Sequence, residues 1–168
     1  MSRLRKIVFG SAILALAAAP AVAAGETAGA GQGASAIQIS AAWTRATVRG
    51  ASVGAGYLTI DNQGGAADTF ISAASDRAER VELHQSREEG GVMIMRAVPK
   101  GVEIKPGKQL VLKPGGYHLM LVGLKSAFLP GETVHVTLHF AKAGDVGADL
   151  QVEGFGAQGP DPSKPAAR

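Results

Sequence analysis

The chain has no cysteine in its 168 residues. That absence removes thiol catalysis, zinc sites of the finger type and thiolate copper centres of the blue type. It also requires a fold without disulfides, which an exported domain of this size can achieve because its core is large enough. Chemistry with a soft metal must then rest on thioether sulfur and imidazole. Aromatic residues are scarce, with one Trp, two Tyr and five Phe. No apolar run is long enough to span a bilayer. No nucleophile–base constellation, phosphate-cradling glycine loop or carboxylate pair stands out, so the sequence does not read as that of an enzyme.

Excess charge is also lacking once the N-terminus is set aside. Arg3, Arg5 and Lys6 precede a mostly apolar stretch from Ile7 to Ala18, and Ala21-Val22-Ala23-Ala24 supplies small residues for cleavage. Residues 1–24 therefore read as a secretory signal. There is no twin-arginine pair, so export of an unfolded chain to the periplasm is expected. No cysteine stands at the cleavage position, so the mature protein is expected to be soluble, without a lipid anchor there. Three of the 17 basic residues fall in the signal and none of the 14 acidic ones does, which leaves 14 of each. A formally neutral chain gives no support for binding nucleic acid or an anionic membrane.

Residues 25–36 are rich in Gly, Ala and Ser without periodicity and read as a flexible leader. From Ile37 the texture changes to short β-like runs punctuated by Gly, Pro, Asn and Asp. The expected strands are Ile37–Trp43, Tyr57–Asn62, Thr69–Ala74, Arg80–His84, Val92–Val98, Val102–Ile104, Gln109–Leu112, Tyr117–Val122, Thr133–Phe140 and Asp149–Glu153. Glu88-Glu89 beside Gly90-Gly91 reads as a surface loop. No amphipathic helix and no internal repeat is evident. This pattern predicts one all-β domain over residues 37–154, a sandwich or barrel, and a disordered tail over 155–168.

The methionines outside the signal are Met93, Met95 and Met120. Strand alternation puts Met93 and Met95 on one face of their strand, and puts His118 with Met120 on one face of the strand that follows Pro114-Gly115-Gly116. Taken singly, a Met in a β domain is core filling and a lone His is a surface or satisfied residue. Together they place every soft side chain of the exported chain near two imidazoles, His84 and His118. Thioether sulfur suits Cu(I) and is a poor ligand for Zn, Mg or Ca. It needs no deprotonation and cannot form a disulfide in an oxidising compartment. His135 and His139 share a face but stand about 13 Å apart along a strand, too far to hold one ion. Trp43 and Tyr57 read as core.

The run of His84, ten residues, Met95, twenty-two residues and His118-Leu119-Met120 resembles the motif of the periplasmic PCu(A)C-type copper chaperones. The words Ala42-Trp43-Thr44-Arg45, Val81-Glu82-Leu83-His84, Met95-Arg96-Ala97-Val98 and Lys113-Pro114-Gly115-Gly116-Tyr117-His118 match as well. The likeness covers roughly Ile37 to Phe140. It implies a cupredoxin-like β-sandwich that holds one Cu(I) through His84, Met95, His118 and Met120. It further implies delivery towards the CuA centre of cytochrome oxidase, alongside a Sco-type protein; the chain is expected to be a monomer. The Met95-to-His118 spacing is one residue longer than the family's, and Pro99-Lys100-Gly101 is the natural place for the extra residue. The family's His/Met-rich C-terminal extension has no counterpart in residues 141–168, so a second copper site there is not expected. Copper storage, a copper redox protein and a metal-free docking module are the rival readings.

Overall fold

The computed structural model describes residues 36–161 and 163. The expected signal and almost all of the expected leader lie outside the described residues, as do most of the last seven residues. Ten strands follow one another along the described chain: β1 (Ile37–Arg45), β2 (Val53–Asn62), β3 (Asp68–Ala74), β4 (Ala78–Glu89), β5 (Val92–Ala97), β6 (Val102–Ile104), β7 (Gln109–Leu112), β8 (Tyr117–Leu124), β9 (Thr133–Phe140) and β10 (Gly144–Glu153). Among the described residues no helix is long and apolar enough to cross a membrane.

The strands join in the order β5-β4-β8-β7-β2-β1-β10-β9-β3-β6, with further pairings β8–β2 and β4–β3. Those extra pairings close the sheet on itself. The edge of β2 is shared, with β8 against Val53–Gly56 and β7 against Leu58–Asp61. The edge of β3 is shared likewise, by β6 at Asp68–Phe70 and by β4 at Ala73. A barrel-like sandwich results, and most strand edges are thereby paired. Two pairings run parallel, β1 with β10 and, at Leu112 and Tyr117, β7 with β8.

Period-2 alternation places the core. In β9, Val134, Val136, Leu138 and Phe140 are buried while Thr133 and His135 are exposed. Leu119 and Leu121 of β8, Leu58 and Ile60 of β2, and Leu150 and Val152 of β10 meet them inside. Each such side chain contributes about 1.5–3 kcal/mol relative to exposure, which is why no disulfide is required.

Two expectations need correction. β2 begins at Val53, four residues before the apolar run at Tyr57. Gly54 and Gly56 hide the strand signal because their missing side chains leave room for Phe128 and Leu150: a Cβ would sit 2.9 and 2.8 Å from those rings and methyls. Glu88 and Glu89 are not a loop but the end of β4, paired with Met93 and Val92 of β5, and Glu89 bonds Arg87 and Arg96. Trp43 and Tyr57 are buried as expected, at 3% and 5% exposure, in a pair beside the main cluster. A β-bulge between Ser40 and Trp43, with Ala41 at φ 49°, reverses the alternation of β1. Trp43 therefore turns to the outer face and stacks on Tyr57, centroids 4.6 Å apart. Arg45 covers both rings and its Nε–H donates to Ala157 O at 2.7 Å, which ties residues of the expected tail to the domain.

Candidate metal centre

β4 is the strand that organises the site. Its first part pairs with β8 and its second part with β5. His84 lies where the two overlap, with His118 of β8 directly opposite on one side and Ala97 of β5 on the other. Cross-strand partners share a face, and so do residues two apart. Met95 faces Ser86, two residues from His84, and Met120 faces Glu82, two residues the other way. The four side chains singled out in the sequence thus project from one face of three adjacent strands. The opposite face of β8 and β4 carries Leu119, Leu121, Val81 and Leu83 into the core.

The two imidazoles meet edge to face with centroids 5.9 Å apart. His118 is only 4% exposed. Burial holds its pKa below the ordinary value, and the nearby His84 adds to this, partly offset by the bond to Gly116. A neutral ring follows, and its Nδ1–H donates to Gly116 O at 3.1 Å, leaving the lone pair on Nε2. The Pro-Gly-Gly turn supplies that carbonyl, and the same Gly116 oxygen accepts from Ser86 N. His84 is held the other way round. Its Nε2 lies 2.9 Å from Glu82 Oε2, and its Nδ1 is buried without a hydrogen-bond partner among the described residues.

Exposure falls from the edge inwards. Met93 and Met95 on β5 are 57% and 50% exposed, whereas His118 is enclosed. Met93 shares the face of Met95 but pairs with Glu88, one full alternation further from His84. Among the described residues no three His, Cys, Asp or Glu side chains gather as a metal site. Sequence alternation found the Met and His residues, but it missed Glu82, whose contact with His84 follows from their two-residue spacing on one strand.

The remaining histidines stand elsewhere. His135 donates to Asp149 at 2.7 Å and His139 to Asp145 at 2.6 Å, each across the β9–β10 ladder and each exposed or half-buried. They are separate pairs, not one site.

These features define an all-β domain carrying imidazole and thioether side chains on one outer face of its barrel. The family model described as "LpqE-like: Putative lipoprotein LpqE-like" matches residues 37–152, and the chain belongs to that family. A putative lipoprotein, Lxx21020 of Leifsonia xyli subsp. xyli, is 31% identical over 125 residues, 74% of each chain. Among solved structures, the copper-bound PCuAC domain from PmoF2 is 26% identical with a TM-score of 0.60, covering 71% of this chain and 93% of that one. The Cu(I) form of DR1885 from Deinococcus radiodurans is 27% identical with a TM-score of 0.52, covering 73% and 83%. The domain is of the PCuAC type, as its motif implied.

Proposed function

We propose that this protein is an exported copper chaperone that carries one Cu(I) on His84, Met95, His118 and Met120 and hands it to an acceptor. The observation that supports this most is the shared face: two opposed imidazoles flanked by two thioethers, one on each side along the strands. Two solved relatives of the same architecture are described as copper-bound and Cu(I)-bound. The donors fit the ion. Two neutral imidazoles and two thioethers bring no charge and favour the soft, monovalent state over Cu(II). The buried, unpartnered Nδ1 of His84 is a polar atom that needs a partner, and a metal supplies one.

The chain's own part is to hold and release. Gly116 orients His118, β4 sets His84 between its neighbours, and the exposed Met95 leaves one side of the ion open to an incoming thiolate. In this reading the domain is cupredoxin-like, resides in the periplasm and catalyses nothing. The recipient that the family resemblance implies is a Sco-type protein or the CuA subunit of cytochrome oxidase.

The test is an anaerobic Cu(I) titration of the exported chain against a chromophoric chelator, beside Met120→Ala and His118→Ala. One tightly held equivalent in the wild type, weakened in both variants, supports the site. Failure of the wild type to compete for copper would sink it. A metal-free docking module would instead bind its partner equally well with and without copper.

A further inference from the structure

Glu82 is the carboxylate that shares the candidate face with His84, two residues before it and directly opposite Met120. Its two oxygens are both engaged. Oε1 accepts from Arg80 Nε at 2.7 Å, and Oε2 lies 2.9 Å from His84 Nε2. An ionised carboxylate only accepts hydrogen bonds, so the proton in the second contact belongs to His84 Nε2. A neutral imidazole with its proton on Nε2 has its lone pair on Nδ1, and Nδ1 is the buried atom that has no partner among the described residues. His118 is fixed in the opposite tautomer by Gly116, with Nε2 left free. The backbone anchors one histidine and a side chain anchors the other.

We infer that Glu82 is a positioning residue of the copper site: it fixes the ring and tautomer of His84 so that Nδ1, not Nε2, is the donor nitrogen. Arg80 in turn holds Glu82 in place. This rests on the copper reading above, and it makes the two histidines inequivalent, His84 binding through Nδ1 and His118 through Nε2. Metal-bound histidines commonly donate their second N–H to a carboxylate or a carbonyl, and loss of such a partner costs about 10–100-fold in metal affinity. Here one histidine has each kind.

Two measurements decide it. Long-range ¹H–¹⁵N NMR of the histidine rings in the metal-free protein near neutral pH should show His84 as the Nε2–H tautomer and His118 as the Nδ1–H tautomer. Loading with Cu(I) should then shift Nδ1 of His84 and Nε2 of His118. A His84 that binds through Nε2, or that carries its proton on Nδ1, overturns the inference. Chelator competition gives the second readout. Glu82→Leu should weaken Cu(I) binding about tenfold or more. Glu82→Gln keeps an acceptor oxygen for Nε2–H and should restore most of that loss. If Glu82→Gln is as weak as Glu82→Leu, the carboxylate acts through its charge and the positioning role is wrong. If the wild type holds no copper, the copper reading falls by itself, and the tautomer spectrum still decides whether Glu82 orders His84.

Discussion

Truncating Met95 should cripple copper binding while truncating its neighbour Met93 should not, although both are exposed thioethers on one face of one strand. The difference follows from register. His84 pairs with Ala97, so Met95 is two residues away along β5 and Met93 is four. Strands stand about 4.8 Å apart and rise about 3.4 Å per residue. Met95 is thus a diagonal neighbour of His84, about 8 Å between backbones, within reach of a long side chain and an imidazole. Met93 lies about 14 Å away by the same reckoning, one full alternation further from His84 than Met95. Both side chains are at least half exposed, so truncation should cost well under about 1 kcal/mol of stability. Losing a ligand should cost at least what losing a ligand's partner does, on the order of 100-fold in dissociation constant, or ~2.8 kcal/mol. Anaerobic chelator competition on Met95→Ala and Met93→Ala, with thermal melts of both, measures this. An equal loss in the two variants would refute the register argument, and no loss in Met95→Ala would remove Met95 from the site.

Asp68 is buried, which pushes its pKa up, but N–H donors from Ala143, Thr69 and Lys142 outweigh this and hold it below the ordinary value. Its contribution is therefore present above about pH 4 and is lost as pH falls through the folded value. Asp68→Asn should cost about 2–3 kcal/mol near neutrality, with the gap to wild type closing in acid; a gap that stays constant down to about pH 2 would contradict the sign. Gly101 has φ 70° and an added Cβ would run into the carbonyl oxygen of Phe70, so Gly101→Ala should cost about 2–4 kcal/mol in urea unfolding. A neutral substitution would show that the β5–β6 turn is soft. Arg45→Ala should uncover the chain's single tryptophan, Trp43, read as a red shift of its fluorescence, and an unchanged spectrum would mean that Arg45 does not seal the pair.

The strands legible in the sequence were those whose alternation is written in large side chains. Val134 to Phe140 could be read position by position, and so could the shared faces of Met93 with Met95 and of His118 with Met120. Two kinds of feature were not legible. Glycine strands such as Val53–Gly56 carry no alternation, because the side chains filling their face belong to Phe128 and Leu150, far along the chain. The bulge at Ala41 inverts β1 by a single residue, and a one-residue slip moves Trp43 to the opposite face without changing the local composition. The site shows the same division. Its residue types stood in the sequence, but the pairing of His84 with His118 is a register between β4 and β8, set by the closure of the barrel. The tautomers depend on Glu82 and on the Gly116 carbonyl, which no periodicity reveals.

The graded exposure of the face bears on how copper leaves it. His118 is enclosed and anchored to backbone, His84 is mostly buried at 14% side-chain exposure, and Met95 stands half exposed on β5. At the copper site proposed above, an incoming thiolate would reach the Met95 side first. It binds Cu(I) more strongly than a thioether does, so it would displace Met95 while the imidazoles still held the ion, and copper would be handed over without becoming free. Transfer by this route is bimolecular: its rate rises in proportion to the concentration of a dithiol acceptor and exceeds spontaneous loss to a dilute chelator. Met95→Ala should bind copper more weakly yet transfer it at least as fast, because the ligand displaced first is already gone. Stopped-flow transfer from the loaded chain to a dithiol peptide at several concentrations tests this. A rate independent of acceptor concentration would mean that copper dissociates before the acceptor arrives, and the open thioether side would then have no part in release.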